Sequence, residues 1–209
     1  MSTEPTTSSF ANVEPAWEIA RLFPPQGQWT ESQYLSFTEP LNQLVELADC
    51  RIDVLEIPTK SHQKIVQFLL NVLVQFLKAG GFGDAVCAPY RIRIRENTFR
   101  EPDIAVYLTA NLERFGERFG EAPDLVVEVV SSDPESQHRD FDDKRNDYAS
   151  AKISEYWIVD PFRGLITVLS LEGIEYVVHG EFNARELATS SLFPKLKIKV
   201  SETLEAGTV

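Results

Sequence analysis

One apolar segment near the middle of the chain constrains the fold more than any other feature. Residues 125–130 read LVVEVV, so apolar side chains lie on both faces of an extended strand. A strand that is covered on both faces belongs in the centre of a sheet with other layers on either side. The segment therefore predicts an α/β domain with a central buried strand, and it places the carboxylate of Glu128 inside the protein.

Helical and extended patterns surround this strand. Apolar residues recur at helical spacing over 61–78, and Gly80 and Gly81 end this helix. A second amphipathic helix is predicted over 139–151, with Lys144 on its inward side. The other predicted strands are 44–47, 51–57, 85–95, 102–108, 155–159, 166–171, 174–178 and an edge strand within 192–200. We expect 85–95 and 102–108 to pair as a hairpin.

The chain reads as one domain with two tails. Residues 1–28 are rich in Ser, Thr, Pro and Glu without a sustained period, which predicts a flexible N-terminal arm. A capping-box spacing from Thr30 to Gln33 opens the first helix, so the domain is expected to span 29–201. Residues 202–209 are expected to form a C-terminal tail.

Composition excludes several classes of protein. No apolar run is long enough for a membrane span and the N-terminus lacks a secretory pattern, so a cytoplasmic protein is expected. Cys50 and Cys87 lack the spacing of metal ligands and are predicted to be small buried hydrophobes. The net charge of −12 argues against nonspecific coating of nucleic acid, which relies on accumulated Lys and Arg.

One basic strand face stands out against this acidic background. Arg91, Arg93 and Arg95 alternate with apolar residues, so their side chains share one face of a strand. This face is the local candidate for contact with phosphate, and a solvated strand face is the alternative.

Acidic residues on buried strands need an explanation, because an unpaired carboxylate is costly to desolvate. Glu128 could be ion-paired, protonated or bound to a cation, and the same question arises for Asp103, which precedes the apolar residues 104–106. Two carboxylates on neighbouring strands could hold one divalent cation, and oxygen ligands favour Mg²⁺ or Mn²⁺. Lys144 would add a cation that orients water or stabilises charge on a phosphate. An exposed ion pair with Asp140 is the alternative for this lysine.

Several motifs together resemble a known family. They are EPDIAV at 101–106, APDLVVEVVS at 122–131, the helix positions Asp140, Lys144 and Tyr148, and EYWIVDP at 155–161. In order and spacing they resemble the Uma-two family of restriction-endonuclease-like proteins, which belongs to the PD-(D/E)XK nuclease superfamily. The resemblance implies a restriction-endonuclease-like αβββαβ core with a mixed sheet, flanking helices and extra antiparallel strands. It also implies a Mg²⁺- or Mn²⁺-dependent endonuclease that acts on DNA as a homodimer.

The resemblance assigns roles to four residues. The three acids of the superfamily fall on Glu46, Asp103 and Glu128, with Asp103 and Glu128 as the metal ligands. The usual lysine two positions after the second acid is replaced here by Val130, and the resemblance implies that Lys144 supplies it from the following helix. The glycine that usually follows the early acidic strand is replaced by Cys50.

Other assignments stay open at this point. The segment 58–63 resembles the family's proline and histidine turn, which would place His62 near the site, and a structural role is the alternative. Asp124 also follows a proline and competes with Asp103 for the role of first metal ligand, whereas Asp160 reads as a turn residue. Two other functions compete with the nuclease: a catalytically silent protein that keeps the fold for dimerisation or partner binding, and a metal hydrolase of another phosphate ester.

Overall fold

A computed structural model describes residues 23–38, 44–131 and 143–208. The helices are α1 (Glu31–Thr38), α2 (Lys60–Gly80), α3 (Lys144–Ser150) and α4 (Val200–Ala206), with a 3₁₀ helix at Thr109–Arg114. The first strands are β1 (Val45–Ala48), β2 (Arg51–Val54), β3 (Gly83–Cys87), β4 (Ile92–Arg95), β5 (Thr98–Arg100), β6 (Ile104–Leu108) and β7 (Gly120–Glu121). The remaining strands are β8 (Leu125–Val129), β9 (Glu155–Asp160), β10 (Leu165–Glu172), β11 (Glu175–Asn183), β12 (Leu187–Thr189) and β13 (Lys197–Lys199).

The central sheet contains six strands in the order β11-β10-β9-β8-β6-β3. Strands β8 and β9 run parallel, and β8 runs antiparallel to β6. Every residue of β8 is buried, as the apolar pattern of this segment requires. The mixed α/β sheet predicted from the sequence is therefore confirmed.

The two faces of β8 belong to different hydrophobic clusters. Leu125, Val127 and Val129 pack in one cluster with the apolar side of α2. Val126 and Val130 pack in a second cluster with Tyr148 of α3. Because strand side chains alternate between faces, Glu128 points to the α3 side of the sheet.

A second sheet carries Glu46 and Arg100, two charged residues that are buried next to the central sheet. Its five strands lie in the order β2-β1-β5-β4-β7, and an aromatic cluster that includes Trp29 and Tyr34 packs beneath it. Strand β1 pairs antiparallel with β5, with Leu47 opposite Phe99, which places Glu46 beside Arg100.

The prediction of one continuous strand over 85–95 is wrong. The chain leaves the central sheet at Pro89, so the segment is divided into β3, which pairs with β6, and β4, which pairs with β5 in the second sheet. Pro102 divides the partner run 102–108 from β5 in the same way. Proline lacks the N–H that a sheet ladder requires, and Pro89 and Pro102 lie at the two points where the chain passes from one sheet to the other.

The ends of the chain differ in how much of them is described. Residues 1–22 of the expected arm lie outside the described residues. Gln26, which also belongs to the expected arm, contacts the domain, because its side-chain amide donates to the carbonyl of Ile52 at 2.9 Å. At the other end, only Lys197–Lys199 of the expected edge strand is extended, and α4 continues into the expected tail as far as Ala206. Within the described ranges, no helix is both long and apolar enough to cross a bilayer.

Candidate active site

Three of the residues proposed from the sequence line one cleft. Asp103 lies just before β6, Glu128 lies in β8, and Lys144 begins α3. All three border a cavity of about 850 Å³ between the first turn of α2, the end of β8 and the end of α4. The fold thus brings together side chains that are up to 41 positions apart in the sequence, from 103 to 144.

Asp103 is oriented by two groups from neighbouring elements. Its Oδ2 accepts a hydrogen bond from the backbone N–H of Val129 at 2.7 Å. The same oxygen lies 3.2 Å from Nε2 of His62, which is also 3.0 Å from the carbonyl oxygen of Val129. Among the described residues, Oδ1 of Asp103 has no hydrogen-bond partner, which leaves this oxygen for a ligand in the cleft.

His62 lies in the first turn of α2, where the side chain of Thr59 accepts its backbone N–H. Two acceptors surround Nε2, so a proton on this nitrogen serves both of them. Burial lowers the pKa of His62, but the hydrogen bond and negative charge of Asp103 outweigh it and raise the pKa above its ordinary value. His62 therefore lies at the site, as the resemblance implied.

Glu128 is ion-paired in the structure, which is one of the three states that the sequence left open. Its Oε1 lies 2.9 Å from Nζ of Lys144 and accepts a hydrogen bond from the hydroxyl of Tyr148 at 2.6 Å. Only 3% of Glu128 is exposed, so this pair lies in the interior. Burial and the charge of Glu128 raise the pKa of Tyr148 well above its ordinary value, which keeps the phenol protonated and donating.

Lys144 reaches two carboxylates at once. Besides Glu128, its Nζ lies 3.8 Å from Oε1 of Glu46. Only 3% of the lysine is exposed, so its predicted inward direction is confirmed. The alternative for this lysine was an ion pair with Asp140. Asp140, the partner in that alternative, lies outside the described residues.

Glu46 does not border the cleft, and it contacts the site through Lys144. Its Oε2 accepts from Nη1 of Arg100 at 2.8 Å, and its Oε1 accepts from the backbone N–H of Glu101 at 2.9 Å. Burial alone would raise the pKa of Glu46, but Lys144, Arg100 and this N–H lower it to about 2. Glu46 is thus a buried carboxylate that holds Lys144 in place.

The turn after β1 contains Cys50, which occupies the position where the resemblance leads one to expect glycine. Asp49 and Cys50 join β1 to β2 with φ angles of 47° and 63°. Both values lie in the left-handed region, which a two-residue hairpin of this kind requires and which glycine adopts at least cost. The two predicted strands 44–47 and 51–57 are thus joined by a tight turn, in which Cys50 adopts the conformation that glycine favours. Cys50 and Cys87 are half-buried, and Cys87 packs against the main hydrophobic cluster, so the prediction of small buried hydrophobes holds in part.

A charge cluster around α3 was missed by reasoning from the sequence. Nε and Nη2 of Arg100 donate to Oδ2 of Asp147 at 2.9 and 2.6 Å, while Nη1 holds Glu46. Asp147 lies on α3 three positions after Lys144. Arg100 therefore ties the helix that carries Lys144 to the strand that carries Glu46. The helical spacing of Asp147 from Lys144 was the one available signal.

The basic face of the predicted strand does not present free cations. Arg91 pairs with Glu101 at 3.1 Å, and Arg95 pairs with Asp147 at 2.6 Å. Arg93 pairs with Glu31 at 3.1 Å. Partners on other residues pair with all three guanidinium groups, while the side chains of Arg93 and Arg95 stay 33% and 38% exposed. Contact of this face with phosphate stays a prediction.

Glu101 is a further acid that borders the cleft. Its Oε1 accepts from Nε of Arg91 at 3.1 Å, whereas its buried Oε2 has no hydrogen-bond partner among the described residues. Burial raises the pKa of Glu101 to about 7, although Arg91 opposes the shift. The sequence showed Glu101 only as part of the EPD motif.

Asp124, the rival of Asp103, lies away from the cleft. Its Oδ2 accepts from the backbone N–H of Leu108 at 2.8 Å, and its Oδ1 accepts from the amide of Asn111 at 2.6 Å. Both oxygens therefore stabilise the loop after β6. Asp160 is a turn residue as predicted, since its Oδ1 accepts the backbone N–H groups of Phe162 and Arg163.

The donor set fits a partly hydrated divalent cation. Within the described residues, no three His, Cys, Asp or Glu side chains form a complete protein cage for a metal. Mg²⁺ keeps several waters and binds through one or two carboxylates, so it does not require such a cage. Asp103 and Glu128 border the same cleft and supply the two carboxylates.

Comparisons with known proteins show the family and the fold of this chain. A family model named Uma2, described as "Putative restriction endonuclease", matches residues 29–201. The fold resembles the crystal structure of a protein from Anabaena variabilis whose title gives "a putative nuclease belonging to DUF820". The two chains are 18% identical with a TM-score of 0.70, and the match covers 85% of this chain and 98% of the other. No protein with curated annotation gave a significant match.

Proposed function

The chain belongs to the Uma2 family of restriction-endonuclease-like proteins, and we propose that it is a divalent-cation-dependent endonuclease that hydrolyses phosphodiester bonds in DNA. One observation carries the proposal: Asp103, Glu128 and Lys144 border the same cleft. Two acids and a lysine in one cleft supply the negative charge that binds a cation and the positive charge that stabilises a phosphate in reaction.

Asp103 and Glu128 are the proposed ligands of Mg²⁺ or Mn²⁺. A bound cation would polarise a phosphoryl oxygen and lower the pKa of a coordinated water. The contribution of this chain is to fix the two carboxylates before substrate arrives. Val129 and His62 hold Asp103, and Tyr148 and Lys144 hold Glu128. Hydrogen bonds of this kind to ligating groups orient them for metal binding.

Lys144 is the proposed electrostatic group of the reaction. Lys144 lines the cleft and its ammonium lies beside Glu128, so a phosphate held near Glu128 would also lie near a positive charge. A lysine donates hydrogen bonds and cannot accept them while protonated. Its role in this proposal is therefore to hold the attacking water or a phosphate oxygen and to stabilise the charge that develops there.

A catalytically silent protein that uses the fold to bind a partner is the second candidate. The observation that favours it is the ion pair between Glu128 and Lys144, together with the hydrogen bond from Tyr148. A cation must compete with these contacts for Oε1 of Glu128. This candidate predicts a folded protein without cation affinity at Asp103 or Glu128.

Assembly and location complete the proposal. A homodimer would place two clefts near one duplex, which allows both strands to be cut. Sedimentation equilibrium tests this assembly, and a monomer at all concentrations would contradict it. We also propose that the protein acts in the cytoplasm, which fractionation of cells that express the full chain would test.

Cleavage of DNA tests the function. The purified protein is incubated with supercoiled plasmid or single-stranded DNA and with Mg²⁺, Mn²⁺ or a chelator. Wild type is compared with Asp103→Asn and Glu128→Gln. Glu172→Gln is the matched control, because Glu172 is an exposed acid at the end of β10. Cation-dependent cleavage by wild type and the control, lost in both cleft variants, supports the nuclease. Absence of cleavage by wild type on every DNA form favours the silent candidate.

A further inference from the structure

Glu101 lines the cleft, and one of its carboxyl oxygens has no role in the proposed function. Glu101 is 5% exposed, and its Oε2 is buried without a hydrogen-bond partner among the described residues. Buried polar atoms in native proteins are nearly always hydrogen-bonded, so such an oxygen points to a partner from outside the chain. Glu101 lines the same cleft as Asp103 and Glu128, which indicates where that partner would lie.

The direction of the side chain is fixed by its own contacts. Nε of Arg91 donates to Oε1 of Glu101 at 3.1 Å, and the backbone N–H of Glu101 donates to Glu46. These contacts anchor one carboxyl oxygen and the main chain, and they leave the other oxygen unused. Glu101 is two positions before Asp103, with Pro102 between them.

The chemistry of the unused oxygen selects the class of partner. Divalent cations of the Mg²⁺ type take oxygen ligands and keep bound waters, which in turn donate hydrogen bonds to nearby carboxylates. An anionic ligand would be repelled by the acids that border this cleft. We propose that Glu101 is a third carboxylate of the cation site, with Oε2 accepting a hydrogen bond from a water that the cation holds. This inference rests on the proposed cation site of Asp103 and Glu128.

Binding of Mn²⁺ without DNA tests the inference by a readout that is independent of activity. Free Mn²⁺ is measured by electron paramagnetic resonance while wild type and variants are titrated. Glu101→Gln keeps the oxygen that accepts from Arg91 and removes the negative charge. Glu205→Gln is the matched control, because Glu205 is an exposed acid that borders the same cleft. Asp103→Asn reports on the cation site itself.

The inference predicts that Glu101→Gln weakens Mn²⁺ binding about tenfold or more, as loss of a ligand-orienting group does. Glu205→Gln should change the affinity by less than about twofold, since exposed charges are screened. Affinity of Glu101→Gln equal to that of wild type, with binding still lost in Asp103→Asn, overturns the inference and leaves the proposed function intact. Absence of Mn²⁺ binding by wild type overturns both.

A second variant keeps the test decisive if Glu101→Gln does not fold. Glu101→Asp retains the charge and shortens the side chain, so one carboxylate can no longer reach both Arg91 and the water that the cation holds. Thermal unfolding confirms that the variant is folded before titration. Weaker Mn²⁺ binding by folded Glu101→Asp supports the inference, and unchanged binding overturns it.

Discussion

The ammonium nitrogen of Lys144 lies 2.9 Å from Oε1 of Glu128, and each residue is 3% exposed. The pair joins the first residue of α3 to the central strand β8. Val130 occupies the position two residues after Glu128, where the superfamily usually has its lysine. The positive charge beside Glu128 therefore comes from α3, because β8 carries no lysine at that position.

Removing the charge of Lys144 should destabilise the protein. Lys144→Met leaves Glu128 and Glu46 without their shared cation in the interior. Breaking a buried pair in this way costs about 3–5 kcal/mol, and urea unfolding would measure the loss. Lys199→Met is the control, because the ion pair of Lys199 with Glu202 is on the surface and its loss should leave the free energy of unfolding nearly unchanged. Equal stability of Lys144→Met and wild type would contradict the buried pair.

Arg100 should act on activity through the position of Lys144. Arg100→Lys keeps a positive charge but cannot hold Glu46 and Asp147 simultaneously through a planar guanidinium. We expect a lower kcat for DNA cleavage with a smaller change in KM, because α3 carries both Asp147 and Lys144. The double variant with Asp147→Asn should be less impaired than the sum of the single effects, since the two residues contact each other. Additive effects on kcat would refute the coupling.

The pKa of Glu46 predicts how stability depends on pH. The pKa is about 2 in the folded protein and ordinarily 4.5, so the unfolded chain binds a proton more readily. The stability that ionised Glu46 contributes is therefore complete above about pH 4.5 and is lost as the pH falls toward about 2. Urea unfolding between these values should show a steeper loss for wild type than for Glu46→Gln. Parallel pH profiles would contradict the lowered pKa.

His62 should strengthen cation binding by orienting Asp103. His62→Ala removes the ring nitrogen that lies 3.2 Å from Oδ2 of Asp103. Loss of such an orienting group typically weakens metal affinity about 10- to 100-fold, and titration with Mn²⁺ would measure it. The control is His179→Ala, since His179 is exposed on β11 and contacts Thr189. Equal Mn²⁺ affinity of both variants would show that His62 has only a structural role.

Local patterns were enough to predict the parts of the fold that depend on burial. The LVVEVV segment gave the central strand and the interior position of Glu128, and helical spacing gave the inward direction of Lys144. Both follow from which face of an element is apolar. The roles of these residues in catalysis stay predictions until activity is measured.

Features that depend on distant contacts could not be predicted in the same way. The run 85–95 has one continuous extended pattern, yet β3 and β4 pair with strands of different sheets. The contact of Arg100 with Asp147 spans 47 positions and leaves no periodic signal. Asp103 and Asp124 both follow a proline, and only the fold shows that the oxygens of Asp124 are used by Leu108 and Asn111.

Cation-dependent nicking of supercoiled plasmid by wild type beside Asp103→Asn tests the central claim most directly. The account predicts nicking with Mg²⁺ or Mn²⁺ by wild type, none with a chelator, and loss of nicking in an Asp103→Asn variant that unfolds at the same temperature as wild type. Nicking that persists in this variant would contradict the assignment of the cleft as the active site.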